Sequence, residues 1–349
     1  MIIKQFILFI FLLFAVNVDA CTTFCLSQEG GFVFGRNYDW HLGHGLVIVN
    51  KKGIQKRSFT FYPEEPVDWV SKYGSVTFNQ FGREFPLGGM NEKGLVVEVM
   101  WLEETVYQGK DDRPVMNELQ WVQYQLDNFK SVKEVLKELE NIRIGQTYTP
   151  IHYLVADSKG IVASIEHIKG ETVIHTGDDL PVPVLTNDTY DRSLNYVDTV
   201  KREDWIWSSD ASMDRFLQVS QLIRETEIKK NQMPVGTAFN ILDTAAQFNT
   251  MWSIVYDITE TNIYFKTARS KEVKKIHLDS FDFSCSSPAM IMNIDYSDPG
   301  NVSDKFVVYE QNMNAQVIRQ TFTNVDFLVD EANELIDRVA QYPESMICR

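Results

Sequence analysis

The stretch Cys21-Thr22-Thr23-Phe24-Cys25 limits what this chain can become more than any other, because of what precedes it. Lys4 leads into an unbroken apolar run from Phe6 to Val16, followed by Asn17-Val18-Asp19-Ala20. A charged start, a short apolar middle and a small residue at the end form the pattern of a removable export signal. The run is shorter than the about 20 apolar residues that a membrane span requires. Cleavage after Ala20 makes Cys21 residue one, with an α-amine and a thiol on the same residue. That pairing is a nucleophile with a base on its own backbone. Two plainer readings stand beside it: an ordinary thiol near a cleavage site, or the acylated cysteine of a lipoprotein. Val18 and Ala20 suit the lipoprotein, Asp19 does not, and an acylated amine could not act as a base.

Residues 1–20 read as the signal peptide, and the remaining stretch, 21–349, is enough for one large or two ordinary domains. No composition break, repeat or linker divides that stretch, so it reads as a single domain. Apolar content of 44% and aromatic content of 12% fit a well-buried core. A formal charge of −15 repels phosphate backbones and argues against nucleic acid as a partner. No later segment is apolar for long enough to span a membrane. Cys21, Cys25, Cys285 and Cys348 are too few for a disulfide scaffold, although one bridge between Cys285 and Cys348 is open.

Thr22 to Ser27 reads as a strand, Gln28-Glu29-Gly30-Gly31 as a turn, and Phe32 to Asp39 as the partner strand. Pairing Ser27 with Phe32 puts Tyr38 or Asp39 opposite Cys21. Arg36, Asn37 and Asp39 then arrive beside the amine and thiol. Arg36 and Asp39 have opposite parity, so both face the thiol only if the strand bends or ends between them. A guanidinium near a thiol favours thiolate, and a carboxylate near an α-ammonium holds and orients it. The plain alternative is a surface ion pair at a hairpin end. His41 and His44 stand three apart, but Gly43 indicates a loop and no third ligand is evident, so no metal site is assigned.

Cys21-Thr22-Thr23 followed by Gly35-Arg36-Asn37-Tyr38-Asp39-Trp40 resembles the choloylglycine hydrolase family of N-terminal-nucleophile hydrolases, which includes bile salt hydrolases and penicillin V acylases. The resemblance runs from Cys21 to about residue 270 and is weak beyond. It implies an α+β fold, a four-layer αββα sandwich, with a self-activated N-terminal cysteine. The turn Asn91-Glu92-Lys93-Gly94 is similar to the family's, while Trp101 stands where bile salt hydrolases tend to place an asparagine. That departure points to another branch and another substrate. The run Val184-Leu185-Thr186-Asn187 resembles the segment whose asparagine donates to the oxyanion hole, as a neutral amide can. Asn187-Asp188-Thr189 also matches a glycosylation acceptor, which would contradict that role. Arg215 lies in the first turn of a helix, where a cation is unfavourable, and Arg215-Phe216 resembles the family's second active-site arginine.

The remaining elements are read for placement. Leu46 to Asn50 and Ser58 to Tyr62 read as short strands, Gly88 to Leu95 as a turn, and Leu95 to Leu102 as a strand. Asp112 and Pro114 open a helix, and Ser131 with Glu134 caps another; both read as outer-layer helices without a site. Period-two strands run from His152 to Asn187. Residues 200–211 read as a polar connection, and helices come next, from near Ser212 and over Thr237 to Thr244. Ile254 to Asp257 and Asn262 to Lys266 read as strands, residues 292–325 carry little signal, and Leu328 to Val339 form a last amphipathic helix.

The reading is an exported cysteine amidohydrolase, periplasmic or secreted, that cleaves linear non-peptide amides through a thioester on Cys21. Arg36 tunes the thiol, Asp39 orients the amine, Asn187 holds the oxyanion and Arg215 adds positive charge. Trp40 and Trp101 favour flat or aromatic acyl groups at a substrate site. No cofactor is implied, the partner is a small-molecule amide, and assembly into a homo-oligomer is left open. The alternative is an exported, lipid-anchored binding protein without activity.

Overall fold

The chain opens on a hairpin of β1 (Thr22–Gln28) and β2 (Gly31–Asp39) in the computed structural model, which describes residues 21–28, 31–145, 147–200, 211–228 and 234–349. The signal segment and most of the 200–211 connection therefore lie outside the described residues. Ser27 pairs with Phe32 and Thr22 with Asn37, so the register carried one step further sets Cys21 against Tyr38. β-Branched and aromatic residues are frequent in both strands, as a pleated, buried surface favours.

Among the described residues, this hairpin sits in a seven-stranded sheet. Val184–Leu185 flanks β1, and Thr250–Asp257, Asn262–Thr267, Lys274–His277 and Gly300–Asn301 continue beyond β2. A nine-stranded sheet lies against it, with Val96–Trp101 and Pro86–Asn91 near its centre. Rings from the two sheets meet in the middle, where Phe78 stands 6.2 Å from Tyr256 and 5.6 Å from Phe265.

The helices are α1 (Glu118–Asn128), α2 (Val132–Glu138), α3 (Tyr190–Thr199), α4 (Ala211–Ile228), α5 (Pro234–Ala245), α6 (Gln311–Phe322) and α7 (Ala332–Gln341). α4 and α5 cover the first sheet at β1 and β2, and α1 covers the second at Pro86–Asn91. The result is the four-layer αββα sandwich, helix on sheet on sheet on helix. One continuous core runs through both sheets and reaches Val339 in α7.

Several elements differ from the sequence reading. Ser58 to Tyr62 is not a strand: the strand before it ends at Arg57, and the Phe59 N–H donates to Gln120 Oε1 instead of to a neighbouring strand. Gly88 and Gly89 belong to a strand, not a turn, and its pairing brings Gly88 so close to Glu98 that a Cβ there would strike the carboxyl. Only Gly94, at φ +78°, is the turn residue. α1 starts at Glu118 with Asn117 as its cap, since Val115–Met116 pairs with Arg143–Ile144 instead. It packs on the second sheet as read, and it is buried on every face. α3 and α6 were not anticipated; α6 is rich in Asn and Gln, which hides its periodicity. Ser131 caps α2 as its spacing indicates.

Candidate active site

Arg36 reaches the site from the middle of β2, where a lone acid in an apolar strand meets it. Glu98 lies in Val96–Trp101 and forms a fully buried ion pair with the Arg36 guanidinium. Arg36 also donates to the Leu87 carbonyl at 3.0 Å, and its guanidinium sits 5.1 Å over the Tyr38 ring. The Tyr256 hydroxyl donates to the other oxygen of Glu98. A guanidinium so fixed presents its charge to Cys21 with little freedom to move.

The backbone nitrogen of Cys21 donates to Asn187 Oδ1 at 2.6 Å. Arg215 Nη2 donates to the same oxygen at 2.8 Å and to the Cys21 carbonyl at 3.4 Å, while its Nε donates to Thr22 Oγ1 at 3.1 Å. Arg215 is 3% exposed. Its head therefore leaves the helix terminus and bonds to oxygens, which offsets the unfavourable dipole. Asn187 Nδ2 donates to the Trp101 carbonyl at 2.9 Å, and Asn187 N to Ser212 Oγ. The Nδ2 bond engages the nitrogen that a glycan would have to modify.

Asp39 ends β2 opposite Thr250, where an extra residue, Met251, bulges from the neighbouring strand between the partners of Tyr38 and Asp39. A bulge re-aims side chains at a strand end, and it lets Arg36 and Asp39 both act on Cys21 despite their parity. Thr250 Oγ1 donates to Asp39 Oδ1 at 2.5 Å, while Oδ2 is buried without a hydrogen bond. Burial pushes the Asp39 carboxyl up to about 7, against the Thr250 hydrogen bond and the charges of Arg215 and Arg36. The carboxylate is thus not the hydrogen-bond partner of the Cys21 nitrogen; Asn187 is.

Burial raises the Cys21 thiol above its ordinary range. The Arg36 charge opposes that rise, the Asp39 carboxylate adds to it, and the Asp39 N–H and Arg36 side chain stabilise thiolate through hydrogen bonds. Cys25 is buried too, with burial alone pushing its thiol well up.

The thiol opens on a pocket walled by Trp40, Phe81, Leu87, Val99, Trp101 and Leu119 among others. Both tryptophans singled out in the sequence line it, as does Leu119 of α1, a helix that carried no site signal. No histidine lines it among the described residues. His41 and His44 bond instead to Asn324 O and Thr321 Oγ1, around the end of α6. Among the described residues no three metal-binding side chains come together. Sequence reasoning missed Glu98 and Thr250. The charge of Glu98 inside Val96-Val97-Glu98-Val99-Met100 was a usable signal; Thr250 left none.

Layers and site together define the fold of the N-terminal-nucleophile hydrolases. A family model described as linear amide C–N hydrolases, choloylglycine hydrolase family, matches residues 21–204, more than half of the chain, and the chain belongs to that family. It is a hydrolase of C–N bonds other than peptide bonds, in linear amides, and its substrate is a small-molecule amide. A penicillin V acylase of Pectobacterium atrosepticum is 28% identical over 263 residues, which cover 62% of this chain and 69% of that one. The solved penicillin V acylase of Agrobacterium tumefaciens is 26% identical, with a TM-score of 0.72 over 83% of this chain and 98% of that one. A conjugated bile acid hydrolase of Clostridium perfringens, 16% identical, shares the fold at a TM-score of 0.65 over 80% of this chain and 98% of that one. No helix among the described residues is long and apolar enough to cross a membrane.

Proposed function

We propose that Cys21, freed as residue one by removal of residues 1–20, is the nucleophile that cleaves the amide through a thioester. One observation carries this reading. Burial raises the thiol above its ordinary range, no histidine among the described residues lines its pocket, and the Cys21 backbone nitrogen is itself held at the site by Asn187. Cleavage turns that nitrogen into an amine with an ordinary pKa of about 7.7–8.0, a usable base near neutrality.

The amine takes the thiol proton, the sulfur attacks the carbonyl carbon, and the C–N bond breaks as the proton passes to the leaving amine. Water then attacks the thioester, and the acid leaves with the thiol restored. Arg36, anchored by Glu98, favours the thiolate. Asn187 Oδ1 orients the amine, and Nδ2, with one hydrogen on the Trp101 carbonyl, has a second for the developing oxyanion. Asp39 Oδ2, buried without a hydrogen bond in the uncleaved chain, takes a hydrogen that the amine gains on cleavage. Arg215 keeps the Asn187 oxygen in place.

The Cys285–Cys348 disulfide, which pins the end of the chain, and the leading apolar run both support export to an oxidising compartment. A continuous core that runs from Cys21 to Ala340 supports reading residues 21–349 as one domain.

The test is hydrolysis by the purified exported protein of a panel holding penicillin V, glycine- and taurine-conjugated cholate, and N-acyl amines. Release of amine by the wild type and none by Cys21→Ala is the expected result. Undiminished turnover by Cys21→Ala overturns the nucleophile. A lipid adduct on Cys21 in place of turnover would favour an anchored binding protein.

A further inference from the structure

The short loop that carries Asn187 is gripped at both ends by one buried pair of side chains. His152, in Ile151–Ala156, and Glu166, in Val162–Ile168, stand on neighbouring strands of the nine-stranded sheet. The strand register, carried one step past Tyr153 and Ile165, sets the two directly opposite each other. His152 Nδ1 lies 3.0 Å from Glu166 Oε1, and both side chains are buried. His152 Nε2 is 2.8 Å from the Thr186 carbonyl, which can only accept, so Nε2 carries the hydrogen. Glu166 Oε1 accepts the Tyr190 N–H at 2.9 Å. Thr186 is the first residue past the strand Val184–Leu185, and Tyr190 is the first residue of α3. The Tyr190 N–H has no partner within its own helix, so Glu166 supplies one.

We propose that His152 and Glu166 are positioning residues for amide hydrolysis: they clamp the loop at Thr186 and Tyr190 and so aim the Asn187 amide at Cys21. The inference rests on the role given to Asn187 above. Between the two anchors, Asn187 presents Oδ1 to the Cys21 nitrogen and to Arg215. Its main-chain N–H goes to Ser212 Oγ, which in turn donates to Thr186 Oγ1, so α4 steadies the same end of the loop. Neither His152 nor Glu166 lines the Cys21 pocket, and the pair reaches the chemistry only through the loop. A buried polar pair adds little net stability over apolar residues of the same shape, because burial costs both partners their water. What the pair supplies is direction. Bonds of fixed length run from one pair of strands to both ends of a loop that has no sheet partner at Asn187.

The experiment is a mutant cycle on the cleaved enzyme, with kcat, KM and Tm measured for each member. His152→Leu combined with Glu166→Met replaces both partners by apolar groups of similar shape, so Tm should stay near that of the wild type. Its kcat should fall about 10²-fold, as a displacement of about 1 Å at a reacting group can cost, with KM little changed. In an Asn187→Ala background the same two changes should cost little more, because the side chain they act through is gone. Should the combined variant not fold, Glu166→Gln takes its place in the cycle. It keeps the shape and the Tyr190 bond but weakens the hold on His152, and about a tenfold loss of kcat is expected. Undiminished kcat, or losses that multiply with that of Asn187→Ala, would overturn the proposal. If Asn187→Ala itself leaves kcat intact, the role given to Asn187 fails, and the clamp is then read by NMR on protein labelled at asparagine nitrogen. The Asn187 side-chain amide signal, identified by its absence from Asn187→Ala, should shift in the combined variant; an unmoved signal overturns the clamp as well.

Discussion

The backbone nitrogen of Cys21 and the side-chain oxygen of Asn187 meet at 2.6 Å across 166 positions of sequence. That bond, and the 2.8 Å bond from Arg215 to the same oxygen, place a neutral amide beside the thiol. Asn187→Ala should therefore lose both the orientation of the amine and a donor to the oxyanion. A fall in kcat of about 10²–10³ is expected, with KM much less changed. Steady-state kinetics on the amide panel decide it; a change confined to KM would make Asn187 a substrate-binding residue only.

Adding one uncleavable residue before Cys21 should be nearly as damaging as Cys21→Ala. The thiol stays, but its neighbour becomes an amide nitrogen with no useful basicity. Intact mass would verify that the extension is retained, and iodoacetamide labelling in denaturant that the thiol is present. Wild-type turnover by such a protein would overturn the use of the α-amine as base. Cys21→Ser should also be severely impaired, because a hydroxyl is far less acidic than a thiol of pKa about 8.5.

Asp39 yields a prediction with a sign. In the extended protein, where the Cys21 nitrogen is an uncharged amide, burial holds the Asp39 carboxyl at about 7 against an ordinary value of 3.8. A folded pKa above the unfolded one means that the folded state holds the proton more tightly. That contribution is complete below the unfolded value and is lost as pH rises through about 7. Asp39→Asn cannot ionise, so in the extended background its Tm should gain on that of the parent between pH 5 and pH 8. In the cleaved enzyme the same change should cut turnover by about 10²-fold or more, on the order of an acid–base contribution. A Tm difference that does not vary with pH would mean that Asp39 is not buried as described.

Glu98→Ala leaves the Arg36 guanidinium buried without its counter-charge and should cost about 3–5 kcal/mol of stability. Gly88→Ala should reproduce part of this loss without touching either ion, because its Cβ would strike the Glu98 carboxyl. Denaturant unfolding measures both. Stability unchanged in Gly88→Ala would show that the strand can shift and that the pair does not depend on this close approach.

The short-range geometry of the site was legible in the chain. One tight hairpin and its alternation set Cys21 against Tyr38 and brought Arg36 and Asp39 near, because a strand register propagates residue by residue from its turn. Ser131 at the start of α2 was legible for the same reason: a cap acts within one helical turn. The polar helix α6 was not, since a helix buried through so few apolar positions leaves no stripe to count.

What the chain order could not decide were the partners brought from far away. Thr250 reaches Asp39 across 211 positions and Glu98 reaches Arg36 across 62. Asn187 was expected at the site, but only the fold shows that its oxygen takes the Cys21 N–H while one Nδ2 hydrogen goes to the Trp101 carbonyl. Nor did any spacing tie Leu335 and Val339 of α7 to a pocket wall shared with Leu119 of α1. Local pairing is dictated by neighbours through period and turn chemistry. Which side chain faces which across two packed sheets is settled only by how the whole core closes, and no residue carries that information alone.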